Sequence, residues 1–367
     1  MEQKKQEENS PIPVTVKSAC ATPAELVALA AAAGVGKVRQ NYVRMFLLAC
    51  AAGAFIGVGG MCSVAVGKGL PRADAGLQRF AFGAVFPVGL VLVVLTGAEL
   101  ITGNFAVLLC ALLARRVRVG ETLVAWLVVY AGNLAGALGL AYFLAFLPNL
   151  YAAEPHLSGV QALAEGKVAQ GFGALVLSGV GCNWLVCCAV LTAMGARDAA
   201  SKVLLVWFPI QTFVTIGFEH SVANMALVPI GILYGADVTF GEFVVRNLVP
   251  VTLGNMIGAW LLVALVEWYA FGINRSPGKK SVVAAAAVAT TTREEQRPED
   301  AAVEEEGDKE EKKPAEVEEE VAQVVEQQKE HRESKSKKRH KKRRHQSSGN
   351  GEGETGGEDA VAMETMV

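Results

Sequence analysis

The sequence predicts an all-α polytopic membrane protein whose six spans form two inverted three-helix repeats, with spans 2 and 5 broken. Three observations predict it. From about Arg39 to Ile273 charges are sparse and apolar residues dominate. They fall in runs of about 20 residues or more, the length that crosses a bilayer. Two of the runs carry polar groups where hydrocarbon is expected, one around Glu99 and one around Glu219 and His220. Finally, motifs of the first half recur in the second. The formal net charge of −2 conceals the contrast between this apolar body and a charged tail from Arg275 onward.

In chain order, the first ten residues are charged or polar and show neither an apolar core nor a cleavage pattern, so no secretory signal is expected. Residues 1–21 read as disordered. Thr22-Pro23-Ala24-Glu25 starts a helix: an N-cap threonine, proline at the first helical position, and glutamate placed for a capping box. The alanine-rich run that follows ends near Gly34 and Gly36 and is too short to span. Residues 22–41 therefore read as an interfacial helix whose Lys37 and Arg39 suit a membrane surface. A six-span domain is expected over 42–273, with spans near 42–67, 80–114, 121–147, 168–194, 202–235 and 243–272. The second and fifth are too long and too polar in the middle for simple helices, and each is expected to break, near 97–103 and 217–223.

The repeat is read from three matches. Gly97, Glu99 and Asn104 share their spacing with Gly217, Glu219 and Asn224. Gly132-Asn133-Leu134-Ala135-Gly136-Ala137 matches Gly254-Asn255-Met256-Ile257-Gly258-Ala259, and Gly57-Val58-Gly59 matches Gly179-Val180-Gly181. Three crossings is an odd number, so the second copy runs inverted, and such repeats place a pathway between them near the midplane. Gly53 and Gly57, Gly132 and Gly136, and Gly254 and Gly258 have the spacing of close helix–helix contacts, a packing signal rather than a chemical one.

Lysine and arginine at the span ends favour both termini in the cytoplasm. Lys37, Arg39, Arg44, Arg115, Arg116, Arg118, Arg197, Lys202, Arg275, Lys279 and Lys280 fall on that side, against Lys68, Arg72, Arg79, Lys167 and Arg246 on the other. The tail, 274–367, is low in aromatics and reads as disordered. Its acidic block (Glu304 to Glu320) and basic block (Lys335 to His345) suit contact with anionic lipid or an unknown partner better than nuclear import. No nucleic-acid partner is expected. The seven cysteines lack zinc spacing and read as small membrane-buried side chains. With no paired nucleophile, metal constellation or cofactor motif, neither an enzyme nor a cofactor is expected.

His220 is the central candidate. Imidazole titrates near neutrality, so it can donate a proton to a weak-acid anion or hold the anion by a hydrogen bond; the competing account is a histidine satisfied by a neighbouring helix. Glu99 and Glu219 hold matching positions; two such carboxylates could both take part in the chemistry, or do a symmetric structural job, each accepting backbone N–H groups freed by its break. Thr102, Asn104, Ser221 and Asn224 suit either a polar cavity wall or caps of the resumed half-helices. Lys167 begins span 4, where it either draws anions into a vestibule or snorkels at a helix end; the residues alone leave both open. Phe86, Leu90, Leu100, Ile101, Val186 and Phe213 lie near the breaks or on adjoining helices. Hydrophobic constrictions gate channels, although from sequence alone ordinary packing accounts for them.

Over roughly residues 22–273 the chain resembles the formate/nitrite transporter family. Val94-Leu95-Thr96-Gly97-Ala98-Glu99-Leu100-Ile101-Thr102-Gly103 is similar to its first signature, and the stretch from Gly179 to Ala189 to its second, with Cys188 where Leu or Val is usual. Gly217 to Met225 is similar to the loop that breaks the family's span 5. The resemblance implies a homopentamer with one aquaporin-like pore per protomer, carrying small monovalent weak-acid anions. It implies His220 as the central pore histidine, Lys167 as a vestibule lysine, and Asn183, Glu219 and Asn224 as polar residues around the pore. It places Phe86, Leu90, Leu100, Ile101, Val186 and Phe213 at two constrictions. The expected function is transport of formate, nitrite, lactate or a similar anion across a bilayer, expected to be the plasma membrane, coupled to protons through His220, with Thr102 on the pathway. Rival accounts are a neutral-solute or water channel of aquaporin-like shape, which no Asn-Pro-Ala motif accompanies, and a membrane-anchored interaction protein acting through its tail.

Overall fold

The computed structural model describes residues 20–70 and 74–272. The expectations for residues 1–19, for Arg72, and for the charged tail with Arg275, Lys279 and Lys280 lie outside the described residues. The described chain is helical throughout, apart from an isolated bridge between Cys20 and Ala196. Its helices are α1 Pro23–Arg39, α2 Tyr42–Gly67, α3 Ala75–Val85, α4 Val88–Thr96, α5 Ile101–Leu113, α6 Val119–Phe146, α7 His156–Val168, α8 Phe172–Gly195, α9 Ala199–Ile216, α10 Ser221–Leu233 and α11 Phe240–Gly272. Six stretches are long and apolar enough to cross a membrane: α2, α3 with α4, α6, α8, α9 and α11. The short apolar helices α5 and α10 complete spans 2 and 5 beyond their breaks.

Local chemistry sets the ends. Thr22 and Glu25 form a reciprocal capping box with Pro23 at the first turn. Asn41 caps α2 and Asp74 caps α3, each through its side-chain oxygen. Pro87, which lacks an N–H, marks the joint between α3 and α4. At the two breaks, α4 ends at Gly97 (φ 72°) and α9 at Gly217 (φ 95°). A side chain in that left-handed region costs roughly 1–2 kcal/mol, so glycine ends the half-helix there at least cost. The chain resumes as α5 and α10 a few residues later.

Small residues let the spans meet backbone to backbone. Gly53 and Gly132 bring α2 against α6, and a Cβ on Gly132 would lie 2.8 Å from the Phe46 carbonyl oxygen. Gly136 abuts Cys50, while Gly254 and Gly258 of α11 abut Val176 and Val180 of α8. The same contacts correct one expected match. Gly136 faces Cys50 where Gly258 faces Val180, so the counterpart of Gly179-Val180-Gly181 is Ala49-Cys50-Ala51, not Gly57-Val58-Gly59. The difference is about two helical turns. A helix with small residues every few positions offers several near-equivalent registers, and the sequence does not distinguish them.

Three other expectations change. Span 2 begins at Ala75 rather than near residue 80. Between spans 3 and 4 lies α7, unforeseen because its mixture of small, polar and apolar residues has little periodicity. Lys167 therefore sits in the last turn of α7, and span 4 begins at Phe172. Likewise Lys37, in the last turn of α1, turns inward to pair with Glu99 instead of facing a membrane surface. Helices α1 and α7 are counterparts: each precedes a three-span unit and carries a lysine in its last turn. The repeat is thus a short helix followed by three spans.

Candidate functional site

Breaking a helix in an apolar interior frees backbone N–H and C=O groups that need partners. At the first break the Ile101 N–H donates to Asn133 Oδ1 at 2.9 Å, and Asn133 Nδ2 donates to the carbonyls of Ala49 and Glu99, both at 2.8 Å. At the second, the Ser221 N–H donates to Asn255 Oδ1 at 2.9 Å, and Asn255 Nδ2 donates to the carbonyls of Gly179 and Glu219, both at 2.9 Å. Asparagines of α6 and α11, not the glutamates, thus satisfy the freed backbone. An amide both donates and accepts, whereas an ionised carboxylate only accepts and leaves freed carbonyls without a donor.

The carboxylates serve a different arrangement, built twice. Glu219 Oε2 accepts from Lys167 Nζ at 2.8 Å and from Asn224 Nδ2 at 2.7 Å, and its Oε1 accepts from Gln170 at 3.4 Å. Glu99 Oε2 accepts from Lys37 Nζ at 2.5 Å and from Asn104 Nδ2 at 2.8 Å, and its Oε1 accepts from Gln40 at 2.8 Å. The second copy alone carries an extension: Asn224 also donates to Asn247 Oδ1 at 2.8 Å, and Asn247 donates to the Lys167 carbonyl at 2.9 Å. Sequence reasoning missed Gln40, Gln170, Asn133, Asn255 and Asn247 as polar partners and gave Lys37 a surface role. A signal for the lysines existed, since Lys37 precedes Gln40 as Lys167 precedes Gln170.

Where the first copy has Leu100, the second has His220. Each is the residue before a resumed half-helix, and only His220 caps it: Nδ1 accepts the Ala223 N–H at 3.1 Å, while Leu100 supplies no cap. In the neutral ring an accepting Nδ1 assigns the proton to Nε2, which points to Thr102 Oγ1 at 3.1 Å. The ring stacks on Phe213 at a centroid distance of 6.1 Å, and Phe86 meets Phe213 edge-on at 6.2 Å. The Thr102 carbonyl accepts from Asn183 Nδ2 at 3.1 Å, and the same amide donates to the Asn255 carbonyl at 2.7 Å. Asn183 Oδ1, Asn224 Oδ1 and Ser221 Oγ are buried with no protein partner.

Two cavities approach this centre. One, of about 370 Å³, is lined by Lys167, Glu219, His220, Asn224, Phe86 and Phe213, with Lys68 and Arg79 also on its wall. The other, of about 200 Å³, is lined by Lys37, Leu90, Leu100 and Asn104 among others. Thr102, Asn183, Ile101 and Val186 line neither; they are buried between and around the breaks. Among the described residues no group of three His, Cys, Asp or Glu is placed to hold a metal ion.

Residues 24–269 match the sequence family described as Formate/nitrite transporter. The chain belongs to that family. It is 43% identical over 249 residues to an uncharacterized transporter of Bacillus subtilis, covering 68% of this chain and 93% of that one. It is 40% identical over 276 residues to a probable formate transporter of Methanothermobacter thermautotrophicus, covering 71% and 96%. Its fold is similar to that of a solved pentameric formate channel with formate bound, at a TM-score of 0.56 and 32% identity, over 63% of this chain and 97% of that one. The protein is a multi-pass membrane protein of the formate/nitrite transporter family, with six spans and an all-helical body.

Proposed function

We propose that the protein carries a small monovalent weak-acid anion, such as formate or nitrite, across the membrane together with a proton, one pathway running through each protomer of a homopentamer. The observation that carries this reading is His220. It sits on the wall of the larger cavity, heads one broken helix, and bonds through Nε2 to Thr102 at the head of the other. Similarity to a pentameric formate channel supports both the substrate class and the assembly. Its rationale is physical: moving an unpaired anion into an apolar passage costs far more than moving its neutral acid. The cavity of Lys167 and Glu219 admits the anion. Phe86 with Phe213, and on the other side Leu90 and Leu100 with Ile101 and Val186 packed behind them, strip its water. His220 supplies or orients the proton, and Thr102, Asn183 and Asn224 offer polar contacts along the way.

The reading includes the plasma membrane as the site and both termini in the cytoplasm; Lys37, Arg39, Arg44, Arg115, Arg116 and Arg197 at the helix ends support that orientation. The tail is assigned to anionic lipid or a partner. The test is uptake into proteoliposomes at several pH values, with and without a proton ionophore. Uptake is expected to rise with an inward proton gradient, and His220→Ala is expected to abolish that dependence. Uptake indifferent to pH and ionophore sinks the coupling, and full uptake by His220→Ala sinks the histidine's role.

A further inference from the structure

Asn133 and Asn255 do more than satisfy broken backbone. Each is fully buried, and each binds the peptide groups on both sides of a single residue. Asn133 holds the Glu99 carbonyl and the Ile101 N–H, which flank Leu100; Asn255 holds the Glu219 carbonyl and the Ser221 N–H, which flank His220. The third bond of each anchors that loop to a carbonyl of a packed span, Ala49 of α2 or Gly179 of α8. Two identical clamps thus grip two different residues, an apolar one on the wall of the smaller cavity and an imidazole on the wall of the larger.

We infer that Asn255 is a positioning residue for His220 and Asn133 a positioning residue for Leu100, so that one clamp sets the pathway's response to protons and the other its response to substrate size. The inference rests on the proposed role of His220 in proton handling. The ionisable groups on the cavity that His220 faces are Lys68, Arg79, Lys167 and Glu219. All are unchanged by substitution at either asparagine, so a change in pH response reports the ring's placement.

The test uses full-length Asn255→Leu and Asn133→Leu proteins in proteoliposomes. Leucine keeps the size, adds no charge and loses all three bonds of the clamp. The probes are formate and the bulkier lactate, each across a pH series. Asn255→Leu is expected to displace the pH profile and lower uptake of both anions about tenfold or more, leaving their ratio unchanged, because small misplacements of a reacting group cost that much. Asn133→Leu is expected to change the formate-to-lactate ratio and to keep the parental pH profile. If leucine prevents recovery of folded protein, serine at the same positions, also neutral, is expected to give the same split. Variants that alter both readouts alike, or neither, overturn the inference and leave the asparagines as general supports. A His220→Asn protein with the parental pH profile removes the proton-handling role itself. A His220→Asn protein that loses the profile, beside an Asn255→Leu protein that keeps it, overturns the clamp alone.

Discussion

Opposite substitutions of the Lys167–Glu219 pair should harm the fold alike and transport in opposite senses. The pair lies at 2.8 Å, with side chains 14% and 5% exposed, on the wall of the larger cavity. Removing either charge leaves its partner buried and uncompensated, a loss of about 3–5 kcal/mol. For a helical body of this size each kcal/mol moves the midpoint by roughly 2–4 °C, so apparent melting should fall by roughly 6–20 °C in either single variant. The effects on an anion differ in sign. Glu219→Gln leaves Lys167 as a net positive charge. At about 6 Å and an effective dielectric near 40, that charge attracts a monovalent anion by about 1.4 kcal/mol, or roughly tenfold in occupancy. Lys167→Met leaves Glu219 and repels the anion by a similar amount. The double variant restores neutrality and should recover part of the stability lost by each single. The assays are thermal unfolding of purified protein and the concentration dependence of formate uptake into proteoliposomes at low salt. Half-saturation should fall for Glu219→Gln, rise for Lys167→Met, and return toward the parental value in the double. Single variants that raise it equally would refute control of entry by local charge balance.

Two further expectations follow from the packing and the helix ends. Gly136→Ala places a methyl group against the backbone of Cys50 and should cost about 1–3 kcal/mol by overpacking. Gly139→Ala on the same helix meets open space and should be neutral or stabilising by roughly 0.5–1 kcal/mol; thermal unfolding of the two proteins compares them directly. Asp198, between spans 4 and 5, caps α9 by accepting the Ser201 N–H at 2.8 Å, and that bond holds its carboxyl below the usual carboxylate range. A depressed folded-state value means that the stabilisation is present above the ordinary pKa and is lost as pH falls through the lower one. Asp198→Asn, which keeps the cap, should therefore unfold like the parent at neutral pH, whereas Asp198→Ala should unfold earlier, and neither should change the pH response of transport between pH 5 and pH 8.

Much of the architecture was legible because hydrocarbon imposes simple rules. A run of about 20 apolar residues has few alternatives to a spanning helix, and an ionisable residue within one needs a reason. The breaks were legible from the excess length and polar middles of spans 2 and 5; that Gly97 and Gly217 end the half-helices in the left-handed region emerges only from the fold. What escaped notice had weaker signals. Helix α7 lacks periodicity, so Lys167 was credited to the wrong element. Asn133 and Asn255 appeared in the repeat only as matching letters inside glycine-rich motifs, and nothing local says that their amides reach loops on another span. The partners of Glu99 and Glu219 were missed for the same reason: Lys37, Gln40, Lys167 and Gln170 are remote in sequence, and only the folded chain brings them to the carboxylates.

The repeat also limits what each residue can be asked to do. Two lysine–glutamate–asparagine sets and two asparagine clamps recur in both copies, so none of them accounts for an activity centred on one copy. Each set pairs a lysine on a cavity wall with a buried glutamate, and each clamp satisfies the backbone freed at one break. On the proposed function, the departures from symmetry are what distinguish one copy chemically from the other. His220 stands opposite Leu100, Thr102 opposite Val222, and Asn247 extends only the second network. The first two departures are bonded to each other, His220 Nε2 to Thr102 Oγ1 at 3.1 Å, across the junction of the two copies. On the proposed function, leucine and valine at these places would leave no side-chain proton at the centre. A Thr102→Val protein should therefore retain the fold and both cavities and alter the pH response of uptake; an unchanged response would detach the histidine from its threonine and leave Nδ1, the cap of α10, as the only bond that orients the ring.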